Sequence, residues 1–378
     1  MRAFTESIRD FFGATRNPGD TRVHLDATMQ WLCRAQDATG EGGVARMYHL
    51  RNGWGFAYPE TTGYIIPTFL HYARLTKNGE FQERARQMAD WECRVQMPEG
   101  AVQGGTVEQP PSPAIFNTGQ VLFGWCAAYA RLREPRYLAA ARRAGDYLLS
   151  QQDGDGCWRR NLSRFCSSGT DTYAYNVRTA WALLELAEQS GDERYRAAAQ
   201  RNVEAVGRLT LGNGWVEKNC LTDATQPLLH TIAYTHQGLF ECGIRLGNEQ
   251  AVAAVQEGGM HLRRRFAYDG QLHGRYDREW NPRVTWRCLT GEAQTAIVWY
   301  RIADWTGDAE WRSAADHLTA QVCETQRTEG RPEVVGGVKG SYPVFGQYGQ
   351  FEYLNWAAKF HADALMLKLG HAAAGGDG

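Results

Sequence analysis

The chain has 378 residues, of which 43% are hydrophobic and 12% aromatic, with a formal net charge of -1. That balance supplies a large core but no basic field to attract nucleic acid. No apolar run is long enough to span a bilayer, the first residues carry no secretory signal, and the 9 cysteines lack C-x-x-C spacing; reduced thiols in a cytoplasmic location are therefore expected.

After a short extension over about 1–19, the pattern predicts helices of two alternating kinds. An amphipathic helix over 21–36 is followed by a long loop (37–61) and an apolar helix over 62–75. The order then repeats: 80–96, loop 97–117, 118–132; 136–152, loop 153–174, 175–188; 193–209, loop 210–229, 230–244. It ends with 249–265, loop 266–290, 292–305, and 309–326, loop 327–352, 353–369, before a flexible tail at about 371–378. In 136–152, Tyr137, Ala141, Ala144 and Leu148 form an apolar stripe, whereas Val121–Ala128 is apolar nearly all round. A one-sided stripe marks an outer helix and all-round apolarity a buried one.

Each apolar helix passes to the next amphipathic one through a tight turn, and these turns resemble each other. Gly191-Asp192-Glu193-Arg194-Tyr195 and Gly307-Asp308-Ala309-Glu310-Trp311 are the clearest copies. Aligned starts at Glu80, Pro135, Asp192, Asn248 and Asp308 lie 55, 57, 56 and 60 residues apart. Glycine allows the left-handed turn, and the acidic or amide side chain caps the new helix. A period of this kind signals a repeat architecture. The resulting expectation is an all-α (α/α)6 toroid, a single domain over 1–378 with six outer helices around six inner ones. An open solenoid shares the period but gives no reason for so aromatic a buried helix. The long loops all fall on one face, at the N-terminal mouths of the inner helices, which makes that face the expected site.

Gln152-Asp153-Gly154-Asp155-Gly156-Cys157-Trp158 fits Q-x-x-x-G-x-W, and so resembles the repeat of terpenoid cyclases and prenyltransferase β-subunits. The cyclase acid run D-x-D-D, a zinc set of Asp, Cys and His, and the Cys-His pair of lanthionine cyclases are absent. The match then reads as structural, with Gln closing a helix end and Trp packing under the turn. The hairpin turns and long aromatic loops look more like six-hairpin carbohydrate-active enzymes, among them unsaturated glucuronyl hydrolases and sugar epimerases. Trp54-Gly55-Phe56-Ala57-Tyr58-Pro59-Glu60-Thr61-Thr62, and Glu292-Ala293-Gln294-Thr295-Ala296-Ile297 after Trp286, resemble the helical domain of glucuronyl C5-epimerases. These resemblances imply the toroid and an acidic, uronic-acid-containing carbohydrate as partner and substrate.

Polar and aromatic residues converge on the expected mouth, a combination that suits sugars, whose C–H faces stack while their hydroxyls need partners. Glycoside hydrolysis is the leading expectation, ahead of lyase or epimerase chemistry, with Glu60 and Asp171 as the carboxylate pair and Glu292 and Glu352 in reserve. For uronate lyase or C5-epimerase chemistry, His230 and Tyr348 serve as bases, and Asn117 or Arg287 stabilises the enolate. Tyr348 sits in a Gly-spaced loop that could close over ligand. Substrate contacts are expected from Trp54, Tyr58, Tyr175, Asn176 and Arg178, and from Trp286, Lys339, Asn355 and Trp356. Each has a plainer alternative: Glu60 and Glu292 as first-turn charges, Asp171 as a cap, the tryptophans as loop anchors, and Arg46, Arg51 and Lys339 as solvated cations. No metal set and no cofactor-binding loop stands out. A non-catalytic glycan-binding toroid remains the alternative from outside enzymes, and a terpenoid-type cyclase is a further one.

Overall fold

The computed structural model describes residues 2–13 and 15–370, and the expected tail at 371–378 lies outside them. After α1 (Arg2–Phe11), outer and inner helices alternate. They run α2 (Thr21–Asp37) and α3 (Pro59–Thr76), α4 (Gly79–Val95) and α5 (Ile115–Leu132), α6 (Pro135–Gln151) and α7 (Val177–Ser190). The circuit continues through α8 (Glu193–Gly207) and α9 (Leu229–Leu246), α10 (Glu249–Asp269) and α11 (Leu289–Thr306), α12 (Ala309–Thr325) and α13 (Asn355–Lys368). Inner helices pack side by side in sequence order, and α13 contacts both α3 and α2, so the double ring closes. This is the (α/α)6 toroid that the alternation of stripe and all-round apolarity implies.

Local chemistry sets the tight turns. Asn78, Asp192, Asn248 and Asp308 each accept a backbone N–H of the helix they open, a cap worth about 1 kcal/mol. Pro135 instead takes the first turn of α6, where its missing N–H costs nothing. Gly191, Gly247 and Gly307 end the preceding inner helices in the left-handed conformation. Lys77 and Arg133 do the same without glycine, at φ 55 and 58.

On the opposite face, glutamines anchor the long loops. Gln152 Nε2 donates to the carbonyls of Gly156 (3.1 Å) and Ala198 (2.9 Å), and Arg201 of α8 donates back to its oxygen. Gln96 makes the same contacts to Gly100 and Ala140. Gly156 sits at φ +89 against the Arg201 carbonyl, where a Cβ would approach the oxygen to 2.3 Å. Trp158 is fully buried and donates to the Leu148 carbonyl at 3.0 Å. The Q-x-x-x-G-x-W match is thus a staple between neighbouring outer helices.

The loops contain short strands that sequence patterning did not signal, since two or three residues cannot show a period of two. β1 (Met47–His49), β2 (Gly53–Trp54), β3 (Arg287–Cys288), β4 (Ser341–Tyr342) and β5 (Glu352–Leu354) form two small antiparallel sheets. One has the order β2-β1-β5, so the first loop is tied to the last across the closure of the ring. α1 adds a second tie. Its buried Glu6 and Asp10 accept from Lys339 Nζ at 2.8 and 2.6 Å. Lys339, expected at the substrate, is committed to these two carboxylates instead. No described helix is long and apolar enough to cross a membrane.

Candidate active site

At the mouth of the inner ring is a cavity of about 170 Å³. The inner helices supply its wall through their first two turns: Glu60 and Tyr64 from α3, Phe116 from α5, His230, Thr231 and Tyr234 from α9, and Trp356 from α13. Tyr58 and Tyr175 enter from the residues just ahead of α3 and α7. The loops complete the lining with Arg46, Ser163, Phe165, Leu221 and Tyr348.

Glu60 is the one carboxyl among the described lining residues. Tyr58 Oη donates to its Oε2 at 2.5 Å. Burial pushes the carboxyl up to about 7, opposed by the Tyr58 hydrogen bond and by the charge of Arg178. A group poised there exists in both protonation states near neutrality, which suits acid–base work.

His230 is buried with its Nδ1 2.8 Å from Gln294 Oε1. An amide oxygen can only accept, so the proton sits on Nδ1 and Nε2 is left as the basic nitrogen. Burial pushes the imidazole down to about 4, with the Gln294 bond opposing and Arg178 adding to the fall. It is therefore a neutral base at physiological pH. Its ring packs 4.3 Å from Tyr234 and 5.4 Å from Tyr348. Tyr348 is held at both ends: Trp356 Nε1 donates to its hydroxyl at 2.8 Å, and its backbone brackets Ser341 Oγ at 2.5 and 3.0 Å.

Arg178 lies behind this wall, 2% exposed. Its Nε donates to Gln120 Oε1 at 2.6 Å and its Nη1 to Gln237 Oε1. The guanidinium is 5.1 to 5.4 Å from the rings of Tyr234, Trp181, Phe123 and Phe360. Neutral amides and π-faces hold it, so its charge is not cancelled by a bonded carboxylate and acts on both Glu60 and His230.

The other expected site residues lie elsewhere. Asp171 is 53% exposed and bonded to Lys218 (2.6 Å) and Arg159 (3.1 Å), which hold it at about 2. The expected Glu60–Asp171 pair is therefore not assembled around the cavity. Glu292 is fully buried in a bidentate pair with Arg287, at 2.8 and 2.6 Å. Glu352 pairs with Arg46 at 3.2 Å. Trp54 packs on Trp31 and Tyr48, beside a separate hollow. Trp286 lies so close to Gly274 that a Cβ there would meet its ring at 2.1 Å, as befits a loop anchor. Asn355 bonds the Ala45 carbonyl (3.0 Å) and Thr61 Oγ1 (2.8 Å). Asn117 donates to the Gln103 carbonyl at 3.2 Å, while both side-chain polar atoms of the buried Asn176 have no partner. Of the expected set, the structure brings together Glu60, Tyr58, Tyr175, His230, Tyr348 and Trp356 around the cavity, with Arg178 behind.

Tyr64, Phe116, Ser163, Phe165 and Leu221 were not anticipated. Tyr64 carried a readable signal, falling four residues after Glu60 and so on the same helix face. Phe165 and Leu221 reach in from irregular loops and carried none.

No protein-family profile matches this sequence, and no curated protein is similar to it in sequence. Solved structures do match in shape. A sugar epimerase from a ruminal bacterium superposes with a TM-score of 0.76 at 12% identity, covering 94% of this chain and 99% of that one. The unsaturated glucuronyl hydrolase of Bacillus sp. GL1, which acts in glycosaminoglycan degradation, gives 0.73 at 15% identity over 92% and 96%. A D-mannose isomerase gives 0.69 at 12% identity over 93% and 97%. Identities this low establish a shared toroid, and the chemistry must be argued from the cavity itself.

Proposed function

We propose that this chain is a carbohydrate-converting enzyme that moves a proton at a carbon next to the carbonyl of one sugar unit, as an epimerase or isomerase does. One observation carries this reading. The cavity pairs a single carboxyl, poised at about 7, with a neutral imidazole, and the other candidate carboxylates, each bonded to a cation, do not line it. Hydrolysis by two carboxyls flanking a glycosidic bond needs a second carboxyl there. Proton transfer next to a carbonyl needs one base, one acid and donors for the enediolate. His230 takes the proton through Nε2, and Glu60 supplies or recovers one. The phenol of Tyr64, which accepts from Tyr234 at 3.4 Å, offers its O–H to the developing oxyanion, and the charge of Arg178 favours that anion from behind the wall. A cavity of about 170 Å³ admits one small ring, well under the roughly 300–1,000 Å³ of sites for drug-sized ligands.

Hydrolysis of an acidic glycoside is the second reading, favoured by Arg46 in the cavity lining and by the hydrolases that share the fold. The test is a panel of neutral reducing sugars and uronic-acid glycans incubated in deuterated water. Deuterium at the carbon next to the carbonyl, together with the epimer or ketose, is the expected result. New reducing ends without carbon-bound deuterium would overturn the proposal in favour of hydrolysis.

A further inference from the structure

Away from the cavity, where the ring closes, three potential metal ligands converge inside the protein. His24 on α2, Cys323 on α12 and His361 on α13 are all buried, and one ligand atom from each lies within 4.8 Å of the other two. Separations of 299 and 38 residues hid this set from any spacing motif; only closure of the toroid brings it together. Cys323 Sγ is 3.7 Å from His361 Nε2. Two ligands on one ion, with metal–sulfur and metal–nitrogen bonds of about 2.3 and 2.0–2.1 Å, would lie about 3.6 Å apart at a tetrahedral angle and about 3.8 Å apart at a trigonal one. The observed spacing falls between the two.

A further feature fits an ion. Gln326 Oε1 bonds His24 Nδ1 at 2.5 Å, and the same amide donates to Thr28 Oγ1 and the Gly336 carbonyl at 2.8 Å each. The amide oxygen can only accept, so it fixes the proton on Nδ1 and leaves Nε2 of His24 as a lone-pair donor, an orientation typical of an outer partner of a metal-bound histidine.

We propose that His24, Cys323 and His361 form a buried structural site for a thiophilic metal ion, which fastens the first outer helix to the last hairpin. Thiolate and imidazole ligands select soft or borderline ions, namely Cu(I) or Zn(II). One thiolate with two neutral imidazoles cancels the charge of a monovalent ion, whereas a divalent ion leaves a net positive charge, which is costly to bury. The three-ligand set and the charge count both favour Cu(I). With all three ligands buried, the ion enters as the chain folds.

The test is refolding of the full chain from denaturant under reducing, oxygen-free conditions with a small excess of zinc sulfate, or of copper(I) held by acetonitrile. After desalting, metal per chain is measured. About one ion per chain is expected from at least one of the two metals, falling at least tenfold in Cys323→Ala, while Cys126→Ala retains it. Copper-loaded wild-type protein should also show a thiolate-to-copper(I) charge-transfer band in the ultraviolet, a readout that does not depend on any variant folding. Retention below about a tenth of an ion per chain with both metals would overturn the site. So would undiminished retention in folded Cys323→Ala.

Discussion

Replacing Glu60 with glutamine separates the stability cost of this carboxyl from its chemistry. Burial raises its pKa from 4.5 in the unfolded chain to about 7, so the folded state favours the protonated form. Its contribution to stability is full below about pH 4.5, falls as pH rises, and is lost once pH passes about 7. The gap between those two values corresponds to about 3 kcal/mol at pH 8 and to less than about 1 kcal/mol at pH 5. Glutamine is neutral throughout, and its amide oxygen can keep the Tyr58 hydrogen bond. Urea unfolding should therefore find Glu60→Gln within about 1 kcal/mol of wild type at pH 5 but more stable by about 3 kcal/mol at pH 8. Turnover should fall by about 10²-fold or more, the scale for removing a general acid–base group. Parallel stability profiles from pH 5 to 8 would show that Glu60 ionises in the fold as easily as in the unfolded chain, and the argument for a poised acid would fail.

Four other substitutions sort the remaining residues. His230→Gln should lower turnover by about 10²-fold with little change in melting temperature, and a collapse of melting at unchanged specific activity of the folded fraction would mark it as a core residue instead. Asp171→Asn should leave turnover unchanged and cost under about 1 kcal/mol in urea, because its partners are exposed ions; a large loss of turnover would return it to the chemistry. Glu292→Gln strands the Arg287 guanidinium in the interior and should cost about 3–5 kcal/mol by denaturant unfolding. Arg46→Met should raise KM for an acidic substrate and spare a neutral one; equal effects on both would leave Arg46 no part in recognising charge.

Helix order and the inner–outer alternation were legible because each rests on local rules. Caps at Asn78, Asp192, Asn248 and Asp308 announce the turns, and the contrast between 136–152 and 118–132 announces which ring a helix joins. That the site lies at the mouth followed from loop length. Which mouth residues enter the cavity did not follow, since a one-residue difference in a helix start rotates a side chain by about 100°. α3 begins at Pro59 rather than at Thr62, so Glu60 lies inside the first turn and shares a face with Tyr64. Asp171 precedes the short 3-10 turn at Ala174–Asn176 and remains outside, where Lys218 and Arg159 meet it. Lys339 was misplaced for another reason: its partners come from α1, more than 300 residues away in the chain.

Glu60 and Glu292 show why residue type alone could not separate acid from scaffold. Both are buried carboxyls in the first turn of an inner helix, α3 and α11, and a favourable helix end is available to each. The difference lies a few residues upstream. Glu292 meets Arg287, whose position on β3 aims a guanidinium fork at it, so two charges are buried together and the carboxylate is committed. Glu60 meets Tyr58, a neutral donor, and the cation whose charge it feels, Arg178, is occupied by Gln120 and Gln237. Burial without a bonded cation keeps the Glu60 proton in play near neutrality, whereas Glu292 is held in a buried ion pair. Exchanging the two settings tests this account: Tyr58→Arg should pull the Glu60 carboxyl back toward the ordinary carboxylate range, seen as an acid-shifted limb in the pH–rate profile. An unmoved limb would mean that another group sets it.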